Sequence, residues 1–362
     1  MDPALLIPTP DSIPAHRAWF EFFLILTFML HLLFMNTMVG SGMIAFFYAL
    51  RRPSKPNLDA LQKDISQKLT FVIAFTINLG VAPLLFLQVL YGHFLYVSSL
   101  LMGVFWLSAV GLLIVAYYMA YLYKFRFDRL QNLRIYFIGA TVLLLMTIGF
   151  LFTNNMTLML SPSAWIRYFN NPHGTLLNLG DPTLWPRFFH FMTASVAIGG
   201  LFIALTWRRK ERQGIPQASE NIILGMKWFT GASILQIALG IWFLFSLPAS
   251  VRAPFFSGSG LHTFVLLTGL AGALIAIGCG AKRKVMPAAI VTLLTVLDMI
   301  ILRDLVRSAY LQPYFRISDL KVIPQASPLI LFLVTLGIGL GVVVYILRLA
   351  YRVDGGNSKL ET

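Results

Sequence analysis

Apolar positions along this chain gather into long runs, and short polar stretches carrying most of the charge separate them. Nine runs, near residues 18–50, 69–91, 98–123, 135–159, 185–207, 222–247, 260–280, 286–306 and 327–350, are each long enough for a helix to cross a hydrocarbon core of roughly 30 Å. The pattern predicts an all-α polytopic membrane helix bundle of about nine spans, forming one transmembrane domain over residues 1–362. No soluble domain, low-complexity tract or internal repeat interrupts it. The longest segments between spans, about 160–184 and 307–326, contain Pro, Asn and Tyr and are expected to form short lids.

Composition supports the pattern, with 58% hydrophobic residues, 12% charged residues and a mean hydropathy of +0.77. A net charge of +14 would suit nucleic acid, but blocks such as Arg51, Arg52, Lys55, Lys63, Lys68 and Arg208, Arg209, Lys210, Arg212 lie between hydrophobic runs. The positive-inside rule accounts for them, so no nucleic-acid partner is expected. With Met1 outside, 20 of the 28 basic residues fall on the inner side, which puts the C-terminus inside. The leader MDPALLIPTPDSIPAHRAW lacks a basic n-region and is expected to be retained. A single cysteine, Cys279, excludes an intrachain disulfide, a four-thiolate metal site and CxxCH heme attachment, leaving His, Met or carboxylate to hold any cofactor.

Ionisable side chains at membrane depth are costly and usually face a bundle interior, a cofactor or water. His31 lies about 13 residues into the first span, His190 near the outer start of the fifth, His262 at the outer start of the seventh and Asp298 about midway along the eighth. Since spans five and seven run in the same direction, His190 and His262 should both lie within roughly 10 Å of the outer surface. Two imidazoles at matched depth can bind opposite faces of one b-type heme; a hydrogen bond to a neighbouring helix is the plainer use of each. The small-residue runs ASVAIGG after His190 and TGLAGA around Gly269 would admit either a flat macrocycle or a close neighbouring helix. Arg187, three residues before His190, suits a heme propionate or an interface anchor. Asp298 must be paired, protonated or bound to iron, and Arg303 is its nearest basic neighbour along the helix. His16, His93 and His173 are read as solvated.

Several stretches resemble subunit I of the cytochrome bd quinol oxidases. FEFFLILTFMLHLLFMNTMVGSGMIAFFYAL is similar to that family's first helix, which implies a heme-ligand role for His31. LGVAPLLFLQVLYG resembles the second helix at Gly80, Val81, Ala82 and Tyr91-Gly92, and FDRL at 127–130 recurs in an inner loop. PRFFHFMTASVAIGGLFI is similar to the fifth helix and implies that His190 ligates a low-spin b heme. The order of the motifs along most of the chain carries the resemblance. There are departures. LPASVRAPFFSGSGL replaces the long quinol-binding loop, the third span has no acidic residue, and the seventh has no methionine where the family places a heme ligand, so that role passes to His262. Only Gln312-Pro313 remains of the Gly-Arg-Gln-Pro-Trp signature, and Asp298 is the nearest carboxylate to the family's glutamate ligand.

The resemblance implies one to three b hemes, quinone or quinol as exchangeable substrate, lipid contact, other subunits of a redox complex and a bacterial cytoplasmic membrane. Retained histidines with a lost loop and lost glutamates favour a heme b electron-transfer subunit working between the quinone pool and an outer carrier, such as a c-type cytochrome, within a quinol-linked oxidoreductase. Gln88, His93 and Arg252 are the candidates for quinone near the outer surface. A divergent bd-type quinol oxidase reducing oxygen at His31, and a heme-free transporter or structural subunit, are the alternatives.

Overall fold

The computed structural model describes residues 2–51, 56–257 and 260–357; Arg52, Lys55 and Lys359, counted above among the inner basic residues, lie outside them. Nine helices among the described residues are long and apolar enough to cross a membrane, as expected of an integral multi-pass membrane protein. They are α1 (Arg17–Leu50), α2 (Pro56–Leu101), α3 (Gly103–Phe125), α4 (Arg134–Leu160), α5 (Leu184–Arg212), α6 (Ala218–Ser246), α7 (Gly260–Ala281), α8 (Val285–Leu311) and α9 (Ala326–Asn357). Odd passage places the two ends of the chain on opposite faces, here called the N-terminal face and the basic face.

Small residues set the closest crossings. A Cβ on Gly199 would lie 2.4 Å from the carbonyl carbon of Gly40, and one on Gly200 would lie 2.7 Å from the Gly225 carbonyl oxygen. The ASVAIGG run is therefore used by α5 to pack on α1 and α6. Gly269 and Gly272 of the TGLAGA run lie against Asp298 and Thr295 in the same way, joining α7 to α8. Both runs serve helix contacts.

The helix α2 departs from the expected span at 69–91. It starts 13 residues earlier and continues to Leu101 through a kink at Tyr91, whose φ of −133° and ψ of 26° are not helical. Leu58, Leu61, Ile65 and Leu69 explain the early start, because their spacing lines one helix face and all four are buried. Averaging hydropathy over this charged stretch hides that face. At the other end, α8 continues to Leu311, so residues 307–311, expected within an outer segment, are helical.

The N-terminal face is covered by its connecting segments. Ile13 pairs in parallel with Val322, donating to the Lys321 carbonyl at 2.9 Å and accepting from Ile323 at 3.0 Å. The 3-10 turn Pro162–Asn170 seats Trp165, whose indole donates to the Leu158 carbonyl at 2.8 Å. Helix α9 is exposed along most of its described side chains, with Leu329, Phe332 and Leu336 half-buried, and it meets the bundle through Phe332, 5.3 Å from Phe23 and 6.1 Å from Phe86.

Candidate functional site

His190 and Arg187 are three residues apart on α5 and therefore share a face. The His190 ring stacks on Phe243 of α6 at 6.3 Å, and Gly240 makes room for it: a Cβ there would lie 3.3 Å from Cε1. Its Nδ1 is buried with no hydrogen-bond partner. Arg187 is only 5% exposed, with its guanidinium 4.8 Å from the Phe243 ring centre and its Nε and Nη2 also buried without partners.

Helix α8 brings two more cations. Arg303 and Arg307 are one turn apart, Arg303 lying 4.4 Å from the Phe28 ring of α1 and Arg307 4.4 Å from the Tyr91 ring of α2. Arg307 pairs with Asp304, yet its Nε and Nη1 remain buried and unpaired. Arg303 is within electrostatic reach of both Arg307 and Arg187, and Arg187 is within reach of His190. The four side chains thus form one constellation drawn from α5 and α8. Aromatic faces offset part of the cost of burying the cations, but two carboxylates face three guanidiniums: Asp304 serves Arg303 and Arg307, and Asp181 reaches Arg187 from the N-terminal side. Unpaired charge in a low-dielectric interior is strongly unfavourable, so this arrangement calls for an anionic group.

His31 sits one turn beyond Phe28 on α1. Its Nδ1 donates to the Thr76 carbonyl at 3.0 Å, and because a carbonyl can only accept, Nε2 is left with its lone pair in the neutral ring. This backbone bond is the usual way a metal-ligating imidazole is oriented. Gly80 supports the ring: a Cβ there would be 2.9 Å from Cε1. His262, in the first turn of α7, meets Phe255 edge-on at 5.2 Å. Phe243 and Phe255 belong to one apolar cluster with Val251 and Val306, so His190 and His262 approach the same cluster from different helices.

Asp298 lies elsewhere. Its Oδ1 accepts from Thr268 of α7 at 2.7 Å and its Oδ2 is buried without a partner. Arg303 faces Phe28 and not Asp298, so the ion pair weighed from the sequence does not form. His93, expected in solvent, packs between Phe94 at 4.3 Å and Phe315 at 4.6 Å with Nε2 buried, because the helix continues beyond it and the 312–325 segment covers it. Arg252 donates to the Phe245 carbonyl at 3.0 Å, and Gln88 is exposed. The short loop after α6 forms a helix, Ala249–Phe256, whose Val251 and Phe255 fill the cluster beside His262.

Arg307 escaped the sequence reading because it fell in a segment taken for an outer loop. The available signal was Arg303 and Arg307 at helical spacing with Asp304 between them, directly following an apolar run. Among the described residues no three His, Cys, Asp or Glu side chains converge on a point that could hold a metal ion by themselves. A porphyrin suits such a donor set, because its ring nitrogens supply the equatorial ligands and its propionates supply anions. The unpartnered His190 Nδ1 and the unpartnered arginine nitrogens fit that group.

These features define a helical membrane protein, with nine membrane-length helices among the described residues, partly buried imidazoles and an arginine cluster toward its N-terminal face. Its fold is similar to that of bd oxidase from Geobacillus thermodenitrificans, with a TM-score of 0.68 over 97% of this chain and 99% of that chain. Sequence identity is 12%, so the likeness is one of fold. No family model and no curated protein matches the chain.

Proposed function

We propose that the chain is a heme b-binding integral membrane subunit that exchanges electrons between the quinone pool and a partner redox protein. The observation that carries this reading is the buried, unpartnered Nδ1 of His190 beside the unpartnered Nε and Nη2 of Arg187, a neutral ligand and an anion receptor on one face of α5. Heme b, when bound, supplies a one-electron reservoir between a two-electron quinol and a one-electron carrier. His190 would offer a ring nitrogen to the iron, with Phe243 and Gly240 fixing the plane of the imidazole, and Arg187 would offer its nitrogens to an acidic group of the heme. His262, approaching the same cluster from α7, is the candidate second ligand, and ligation by two imidazoles would suit electron transfer. The basic-residue distribution supports an outer N-terminal face, where the carrier would dock. The fold shared with bd oxidase supports the quinol-linked setting.

The test is a reduced-minus-oxidised spectrum of the purified chain with a pyridine hemochrome count, repeated for His190→Ala. Loss of one low-spin b signal from a folded variant is the expected result. An unchanged spectrum with normal folding would remove His190 from the site, and a wild-type protein without a Soret band would favour the heme-free subunit.

A second reading, oxygen reduction, is favoured by His31, whose bond to Thr76 leaves Nε2 able to ligate a second iron. Carbon monoxide decides between the two: an unshifted spectrum supports electron transfer, and a shift lost in His31→Ala supports an open heme. Asp298, tied to Thr268, has no observation that brings it toward either imidazole.

A further inference from the structure

The arginines of α8 do not belong to the helix that carries His190, and the proposed ligation leaves them unused. Arg187 presents Nε and Nη2, the two nitrogens on one edge of the guanidinium, and this fork matches the two oxygens of a carboxylate. It can take one acidic group. Arg307 presents Nε and Nη1 separately, with Nη2 already on Asp304, while Tyr91 covers its flat face. Arg303 adds a third charge between them, held on Phe28. Water could satisfy the donors but not the charge, since Asp304 and Asp181 together set two negative charges against the three cations and leave one in excess.

We propose that Arg303 and Arg307 form a second anion anchor on α8, facing the Arg187 anchor on α5, so that the site holds a ligand carrying two acidic groups. The proposal rests on the heme reading above: the ligand is then a porphyrin bound through both propionates, and α5 and α8 are cross-linked through it. A lipid phosphate has the same anionic oxygen chemistry and is the competing source. The anchor also makes the site electropositive, which favours the reduced, less positive state of a redox group.

Three variants of the full chain, Arg187→Gln, Arg307→Gln and Arg307→Lys, test it. The measurements are heme transfer to an acceptor globin, the propionate-bending band in resonance Raman, midpoint potential, and bound phospholipid by mass spectrometry. Each Gln variant should release heme roughly tenfold faster, as expected for the loss of one charge-assisted contact, with a shifted propionate band and a lower potential. Arg307→Lys keeps the charge but loses the planar donor set, so the band should move while the potential stays near wild type; this variant decides the matter if the Gln forms do not fold. Heme retained with an unmoved band in both Arg307 variants overturns the second anchor, and loss of a bound phosphate in the same variants assigns the site to lipid. Absence of heme from the wild type instead defeats the functional reading on which the anchor rests.

Discussion

The two ends of the bundle treat buried charge differently. At the basic face Asp64, the buried carboxylate, is shared by Lys68 and by Lys210 at 2.7 Å, while Asp59 pairs with Arg134 and Asp128 with Lys63 at 2.9 Å. Each of those pairs has at least one partner reaching water. Toward the N-terminal face Arg187 and Arg307 are 5% and 4% exposed, and each keeps two nitrogens unpaired. Charges of the first kind tie α2 to α4, α5 and the 127–130 turn at modest cost and are structural. Those of the second kind oppose folding unless something else binds, and this asymmetry is what marks one end as a site.

The comparison can be broken most sharply at Asp304. Replacing it with Asn leaves Arg303 and Arg307 without their shared carboxylate, and the expected loss is about 3–5 kcal/mol, the usual cost of breaking a buried pair. Steric-trap unfolding in bicelles measures it. A loss below about 1 kcal/mol would mean that the cluster is hydrated and the contrast between the two ends is false. Asp64→Asn should cost less, roughly 1–3 kcal/mol, because Lys68 and Lys210 can turn toward water when released. The smallest effect is expected for Lys63→Ala: its pair with Asp128 has side chains 46% and 72% exposed, so the change should stay under about 0.5 kcal/mol and vanish at 1 M salt. If Lys63→Ala proved as damaging as Asp304→Asn, burial would not be what separates the two ends.

Much of the fold can be read locally. Helices α1, α4 and α7 begin and end within a residue or two of the apolar runs that predict them, because a membrane span is defined by hydropathy summed over its own residues. The reading fails where burial comes from neighbours. Leu58, Leu61, Ile65 and Leu69 are too widely spaced among polar residues to raise a window average, yet they extend α2 along the basic face. Arg307 looks like the start of a loop until Tyr91 and Asp304 are seen around it.

For the site, the sequence singled out His31, His190, His262 and Arg187, since an imidazole or guanidinium in an apolar run stands out without any partner being known. Only tertiary structure supplied the partners. It gave His31 to Thr76, stacked His190 on Phe243 and tied Asp298 to Thr268. The ambiguity of ASVAIGG and TGLAGA was likewise resolved in three dimensions, with both runs committed to helix contacts. By itself the sequence determined the nine apolar runs able to cross and which ionisable residues lie within them, because these follow from the transfer cost of each segment. Which charges are neutralised and which are left wanting was decided by the packing of α5 against α8, because neutralisation depends on groups that are close in space and far apart along the chain.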